Sequence, residues 1–228
     1  MLLFISSKYF YRFTKFKKIS FLALLCLAYI HQAYAFELDQ HILKQVAERF
    51  GQKASARLLY WQNIVENAKD KPAHEQLEIA NNFFNKVRFL SDQEHWQKED
   101  YWATPLEMLA TNGGDCEDYS IAKYFTLREL GIPDHQLKIT YVKALQLNQA
   151  HMVLAYYPKL GSEPLILDNL VNEILPASQR KDLAPVYSFN GEGLWLSKLS
   201  SQEGKRIGNA NKLESWKENM TRHYRLFE

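Results

Sequence analysis

From Phe36 to about Asp92 the apolar residues recur with a helical period. Leu38, Ile42, Val46 and Phe50 stand four apart and stop at Gly51, and Leu58, Leu59, Trp61, Ile64 and Val65 form a second amphipathic run ending near Asp70-Lys71-Pro72. A third run goes from Pro72 or Ala73 through Leu77, Ile79, Ala80, Phe83, Phe84, Val87 and Leu90. These stripes predict three helices that turn an apolar face to a core, and His41, His74 and His95 beside them carry no chemistry of their own. Between Ser91 and Gly114 the period is irregular. Within it, Thr104-Pro105-Leu106-Glu107 is a capping box with proline at the first helical position, predicting a short helix from Pro105 to about Ala110. Asn112-Gly113-Gly114 ends it, since asparagine and glycine tolerate the positive φ that reverses direction. Asp115 then caps a helix from Cys116 to Leu130, closed by Gly131-Ile132-Pro133.

After Pro133 alternation replaces the helical period. Residues 136–145, 150–157, 164–170 and 186–196 read as strands, the last with Asn190-Gly191 at a hairpin turn, and 211–227 reads as a terminal helix. Helices first and an antiparallel sheet afterwards predict an α+β domain.

The N-terminus changes how composition is read. Lys8, Arg12, Lys15, Lys17 and Lys18 precede an apolar stretch from Ile19 to Ile30 and the small-x-small ending Ala33-Tyr34-Ala35. That is the pattern of a secretory signal peptide cleaved after Ala35, because an almost entirely apolar core of 12 residues falls short of the roughly 20 a spanning helix needs. The mature chain, residues 36–228, then reads as one domain with 23 Lys and Arg against 26 acids, a net charge of −3 instead of +2. The basic character belongs to the export signal, and nothing argues for nucleic acid. Cys26 leaves with the signal, so Cys116 is the only thiol of the exported chain and has no intramolecular disulfide partner.

Cys116 at a helix start sits where unpaired N–H groups and the helix dipole favour a thiolate. His151 and Asp168 stand on neighbouring predicted strands. A hairpin centred between Lys159 and Leu160 pairs Leu154 with Leu165, Val153 with Ile166, Met152 with Leu167 and His151 with Asp168, within reach of an imidazole–carboxylate bond. Nucleophile, base and orienting carboxylate are the parts of a triad. The residues leave a plainer alternative open: a sheet histidine, an Asx turn at Asp168 and three acids, Asp115, Glu117 and Asp118, matched to a helix dipole.

Four segments together carry a resemblance: Trp102-Ala103-Thr104-Pro105-Leu106-Glu107, Gly113-Gly114-Asp115-Cys116-Glu117-Asp118-Tyr119, His151-Met152-Val153-Leu154 and Leu167-Asp168-Asn169-Leu170. In this order, over about residues 92–196, the sequence resembles the bacterial transglutaminase-like cysteine proteinases. The resemblance implies a papain/transglutaminase-like α+β fold, with a helical N-terminal part packed on an antiparallel sheet, and Cys116, His151 and Asp168 as the catalytic residues. It also implies a periplasmic enzyme that cuts the N-terminal region of a large surface adhesin at a pair of alanines and so disperses biofilm. It further implies inhibition by the periplasmic domain of an inner-membrane cyclic-di-GMP receptor similar to LapD, with no nucleotide bound by this chain. The calcium (Ca2+) it implies would be held by Asp115, Glu117 and Asp118. These are hard oxygen ligands, whereas no thiolate-rich or multi-histidine zinc set exists, and without a cation three carboxylates would raise the thiol's pKa. The backbone N–H of Cys116 is the expected oxyanion donor. Trp102 reads equally as cleft wall, side-chain donor or core. A transglutaminase, a cell-wall peptidase and a non-catalytic calcium-dependent binding module remain as alternatives on the same residues.

Overall fold

The computed structural model describes residues 36–196 and 204–225; the expected export signal with its cleavage point, and the end of the expected terminal helix, lie outside them. One compact unit begins at Phe36. Three helices open it: α1 (Gln40–Phe50), α2 (Gln52–Ala68) and α3 (Ala73–Phe84). Asp39 caps α1 by accepting the His41 N–H, and Gly51, at φ 86°, makes the sharp turn from α1 into α2.

The third helix is shorter than its apolar stripe. It ends at Phe84, so Val87 and Leu90 are not helical. Tertiary bonds capture the chain instead: the Val87 carbonyl accepts from the Tyr119 hydroxyl at 2.6 Å, and β1 (Arg88–Phe89) pairs in parallel with β2 (Gly113–Gly114). A single turn, α4 (Asp92–His95), follows Ser91, whose hydroxyl accepts the Glu94 N–H. Next comes α5 (Pro105–Thr111), with the capping box formed as the sequence predicts: Thr104 Oγ1 accepts the Glu107 N–H, and Glu107 Oε2 accepts the Thr104 N–H.

Asn112 alone takes the left-handed turn, at φ 56°; Gly113 and Gly114 do not have positive φ and are needed for space. A Cβ on Gly113 would meet Leu90 Cδ1 at 2.5 Å, and one on Gly114 would meet Asp118 Oδ2 at 2.6 Å. The glycines let the β1 and β2 backbones and the start of α6 (Cys116–Glu129) close up.

Helix α6 is the centre of the domain. Every residue from Glu117 to Leu127 is buried, because α3 covers one side and the sheet the other. The sheet has seven antiparallel strands in the order β6-β5-β4-β3-β7-β8-β9. They are β3 (Leu137–Ala144), β4 (Gln149–Tyr156), β5 (Leu165–Leu167), β6 (Leu175–Pro176), β7 (Leu183–Phe189), β8 (Leu194–Leu196) and β9 (Lys205–Gly208). Alternation sorts its side chains: Ile139, Met152, Leu154 and Leu167 join the main core, whereas Val142, Val153, Ala155 and Ile166 form a second, smaller cluster. Helix α7 (Glu214–Arg225) closes the domain, with Trp216 stacked on Phe125 of α6 and edge-on to Phe189.

One register differs from the sequence expectation. Leu154 pairs with Leu167, Ala155 with Ile166 and Tyr156 with Leu165, two residues away from the expected pairing. The cause lies in the connection, where the Ser162 N–H and hydroxyl both bond the Lys159 carbonyl and Gly161 takes φ 75°. This moves the turn's centre one residue toward the C-terminus. A slip of two keeps every side chain on its own face, so the core survives.

Candidate active site

With the register shifted, Asp168 falls level with Val153 and not with His151. It lies one residue beyond the end of β5, and from there its carboxylate reaches His151 diagonally: His151 Nε2 to Asp168 Oδ1 is 2.8 Å. Both residues are buried. A carboxylate accepts only, so Nε2 carries the hydrogen and Nδ1 is the ring nitrogen left for proton exchange. Oδ1 also accepts the Leu170 N–H at 2.9 Å, and Oδ2 accepts from Arg180 Nη2 at 2.7 Å. Burial pushes the Asp168 pKa up, but the bonds from His151, Leu170 and Arg180 outweigh it and bring it down to about 2. The backbone is held as well, since Asn85 Nδ2 donates to the Asp168 carbonyl at 2.8 Å. Lys123, on α6, is buried with no hydrogen bond to its ammonium; burial lowers its pKa to about 7 against the opposing charge of Asp168.

Cys116 is the first residue of α6 and half-buried. Its thiol donates to Glu117 Oε2 at 3.0 Å. Burial raises the thiol's pKa far above its ordinary value; Glu117 and Asp115 add to this, and the Met152 backbone N–H opposes it. Met152 adjoins His151, so β4 meets the helix start next to the histidine.

The acids around Cys116 divide into two overlapping sets. Oxygens of Asp92, Asp115 and Asp118 lie within 4.8 Å of one another, and so do oxygens of Asp92, Asp100 and Glu117. The expected set of Asp115, Glu117 and Asp118 is thus split, and Asp92 and Asp100, which sequence reasoning missed, join its parts. Burial and then the charges of Glu117 and Asp92 raise Asp115 to about 9; burial, opposed by the Tyr101 N–H, brings Asp92 to about 6. Asp118, fully buried, is pushed well above the carboxylate range despite its bond from the Ala103 N–H at 2.7 Å. Asp92 Oδ1 and Asp115 Oδ1 are buried with no hydrogen-bond partner. Crowded, acceptor-only oxygens lacking donors fit a hard divalent cation. Trp102 serves two purposes: its ring stacks on Phe189, and its Nε1 donates to Asp100 Oδ1 at 3.0 Å.

A family model of bacterial transglutaminase-like cysteine proteinases matches residues 55–184. The chain belongs to this family. The solved structure of Legionella pneumophila LapG is 46% identical, covers 81% of this chain and 96% of its own, and superposes with a TM-score of 0.70. The EGTA-treated form of Legionella pneumophila LapG matches with the same identity and coverage at a TM-score of 0.71. Its calcium-bound form matches at 46% identity over 79% of this chain and 96% of its own, with a TM-score of 0.68. Among curated proteins none matches. As a member of the transglutaminase-like cysteine proteinases this chain is a cysteine protease, and Cys116 is the one cysteine among its described residues.

Proposed function

We propose that this protein is a calcium-dependent periplasmic cysteine endopeptidase with Cys116, His151 and Asp168 as its catalytic residues, residues 36–228 being one mature domain after signal removal. Its substrate is the N-terminal region of a large surface adhesin, cut at an alanine pair, which releases the adhesin and disperses biofilm. Its inhibitor is the periplasmic domain of an inner-membrane cyclic-di-GMP receptor similar to LapD. What carries the reading is the buried His151–Asp168 bond, which commits Nε2 and leaves Nδ1 on the strand whose Met152 N–H approaches the Cys116 thiol.

In the reaction His151 Nδ1 takes the thiol proton, and the Cys116 sulfur attacks the scissile carbonyl. The Cys116 backbone N–H, unpaired at the helix start, stabilises the oxyanion. His151 returns the proton to the leaving amine as the C–N bond breaks, and water, deprotonated by the same nitrogen, hydrolyses the thioester. Asp168 holds the tautomer throughout. Asp92, Asp115 and Asp118, with Asp100 and Glu117 alongside, would hold calcium. Bound calcium supplies the positive charge that offsets these carboxylates and the resistance they impose on ionising the thiol.

Incubation of the mature protein with a purified adhesin N-terminal fragment, with calcium or with EGTA, tests this reading by terminal sequencing of the products. Two defined fragments are expected with calcium, and none with EGTA or with Cys116→Ala. Fragments produced by Cys116→Ala would overturn the nucleophile assignment, and cross-linked products in place of fragments would favour a transglutaminase.

A further inference from the structure

Arg180 has no part in the chemistry just described, yet it is among the most buried charges of the fold, 4% exposed. It follows the single 3-10 turn Ala177–Gln179 between β6 and β7. Asp182, two residues on, grips its fork: Nε donates to Asp182 Oδ1 at 3.0 Å and Nη2 to Asp182 Oδ2 at 2.8 Å. Asp182 is itself anchored to the end of β3, its carbonyl accepting the Leu145 N–H at 2.8 Å. With the guanidinium plane fixed this way, Nη2 also reaches Asp168 Oδ2 at 2.7 Å. The Nη1 atom is buried without a partner. A buried ion pair that leaves a donor unsatisfied is a poor source of stability, since desolvation of the charges offsets their attraction. Its geometry is specific, however. Asp168 has two oxygens, and Arg180 occupies the one that His151 does not.

We propose that Arg180, held by Asp182, is a positioning residue of the proteolytic site. By fixing Oδ2 it prevents the Asp168 carboxylate from rotating, so that Oδ1 faces His151 and the imidazole stays in the tautomer that offers Nδ1 to the thiol. Its charge also keeps Asp168 ionised, as an acceptor for Nε2–H must be. The arrangement is a relay of four side chains, Cys116-His151-Asp168-Arg180, in which Arg180 acts only through Asp168. This rests on the triad reading given above.

The test compares kcat and KM of the calcium-loaded enzyme on the adhesin fragment for Arg180→Met, Arg180→Lys, Asp168→Asn and the double variant Arg180→Met/Asp168→Asn, each normalised to folded protein by circular dichroism. Arg180→Met is expected to lower kcat by about 10- to 100-fold with KM within about twofold, and Arg180→Lys to recover part of the loss. In the Asp168→Asn background Arg180→Met should cost nothing further, because its target is already gone. A proton spectrum supplies a readout independent of turnover: the downfield Nε2–H resonance, identified by its loss in His151→Gln, should broaden in Arg180→Met. Wild-type kcat in Arg180→Met, or losses that multiply with those of Asp168→Asn, would overturn the proposal. Should Arg180→Met not fold, Arg180→Lys and Asp182→Asn decide, and unchanged kcat in both has the same meaning. Full activity in Asp168→Asn alone would instead sink the triad reading, which keeps the two failures apart.

Discussion

At Gly114 a missing side chain makes room for Asp118, whose Cβ would lie 2.8 Å from an added methyl. Asp118 is the acid that ties the Asp115 N–H to the Ala103 N–H, so the collision falls on the bracing of the nucleophile turn. Gly114→Ala is expected to cost about 1–3 kcal/mol of stability, as overpacked sites do, measured by urea unfolding in EGTA. An unchanged midpoint would show that the turn yields freely. This residue also marks the limit of reading a site from sequence. The His151–Asp168 contact was legible because the two residue types pair and stand on neighbouring strands, and the glycines because they punctuate. The reason for the glycines was not legible, since close approach to Leu90 and Asp118 depends on the fold. Asp92, Asp100, Asn85 and Arg180 gave no signal for the same reason. Asp92 opens a four-residue helix after a serine cap, where an acid needs no further explanation, and Arg180 lies in an irregular connection.

Helices were read from their apolar spacing most securely where solvent covers one face, as in α1 and α2. Helix α3 was read too long because Val87 and Leu90 keep the apolar rhythm while Tyr119 and Gly114 take over the backbone bonds of that stretch. The β4–β5 register was missed because the turn is set by Ser162 and Gly161, and either register gives the same faces. The terminal helix was foreseen as an element, but not as a clamp. Asn219, fully buried on α7, donates to the Trp102 and Ala103 carbonyls at 2.9 Å each, and Arg222 also donates to Trp102, while Ser215 Oγ reaches Asp100 Oδ2 at 3.1 Å. Asn219→Ala should therefore weaken calcium binding several-fold in titration calorimetry, although Asn219 touches no ligand; unchanged affinity would show the loop holds itself. The same helix carries an acid-sensitive contact. His223 stacks on Phe125 at 3.6 Å, and burial lowers its pKa to about 4. Since the unfolded chain binds this proton near pH 6.5, the folded state loses stability as pH falls below 6.5, and the loss levels off below about 4. The sum is about 3 kcal/mol as an order of magnitude. His223→Phe is expected to flatten the stability curve across that window in urea titrations, and a parallel curve would place the acid sensitivity elsewhere.

Across the whole molecule the acid cluster joins three separate elements: Asp92 from α4, Asp100 from the following loop, and Asp115, Glu117 and Asp118 from the start of α6, with the distant α7 bonded to the loop between. Without a cation the crowding of these acids forces protons onto Asp115 and Asp118, and two of the cluster's buried oxygens have no donor, so the cluster weakens the unit it connects. A cation that binds the folded chain alone adds RT ln(1 + [L]/Kd) to stability, about 2.7 kcal/mol at a hundredfold excess over Kd, or roughly 5–11 °C for a domain of this size. Calcium is thus expected to raise the melting temperature, and EGTA to reverse the rise, in the mature protein and equally in Cys116→Ala, because the thiol is no part of the ligand set. Asp92→Asn, which removes the charge shared by both sets of oxygens, should abolish most of the shift. A melting temperature indifferent to calcium would separate the acid cluster from metal binding altogether. A full shift surviving in Asp92→Asn would leave calcium bound but take Asp92 out of its ligand set.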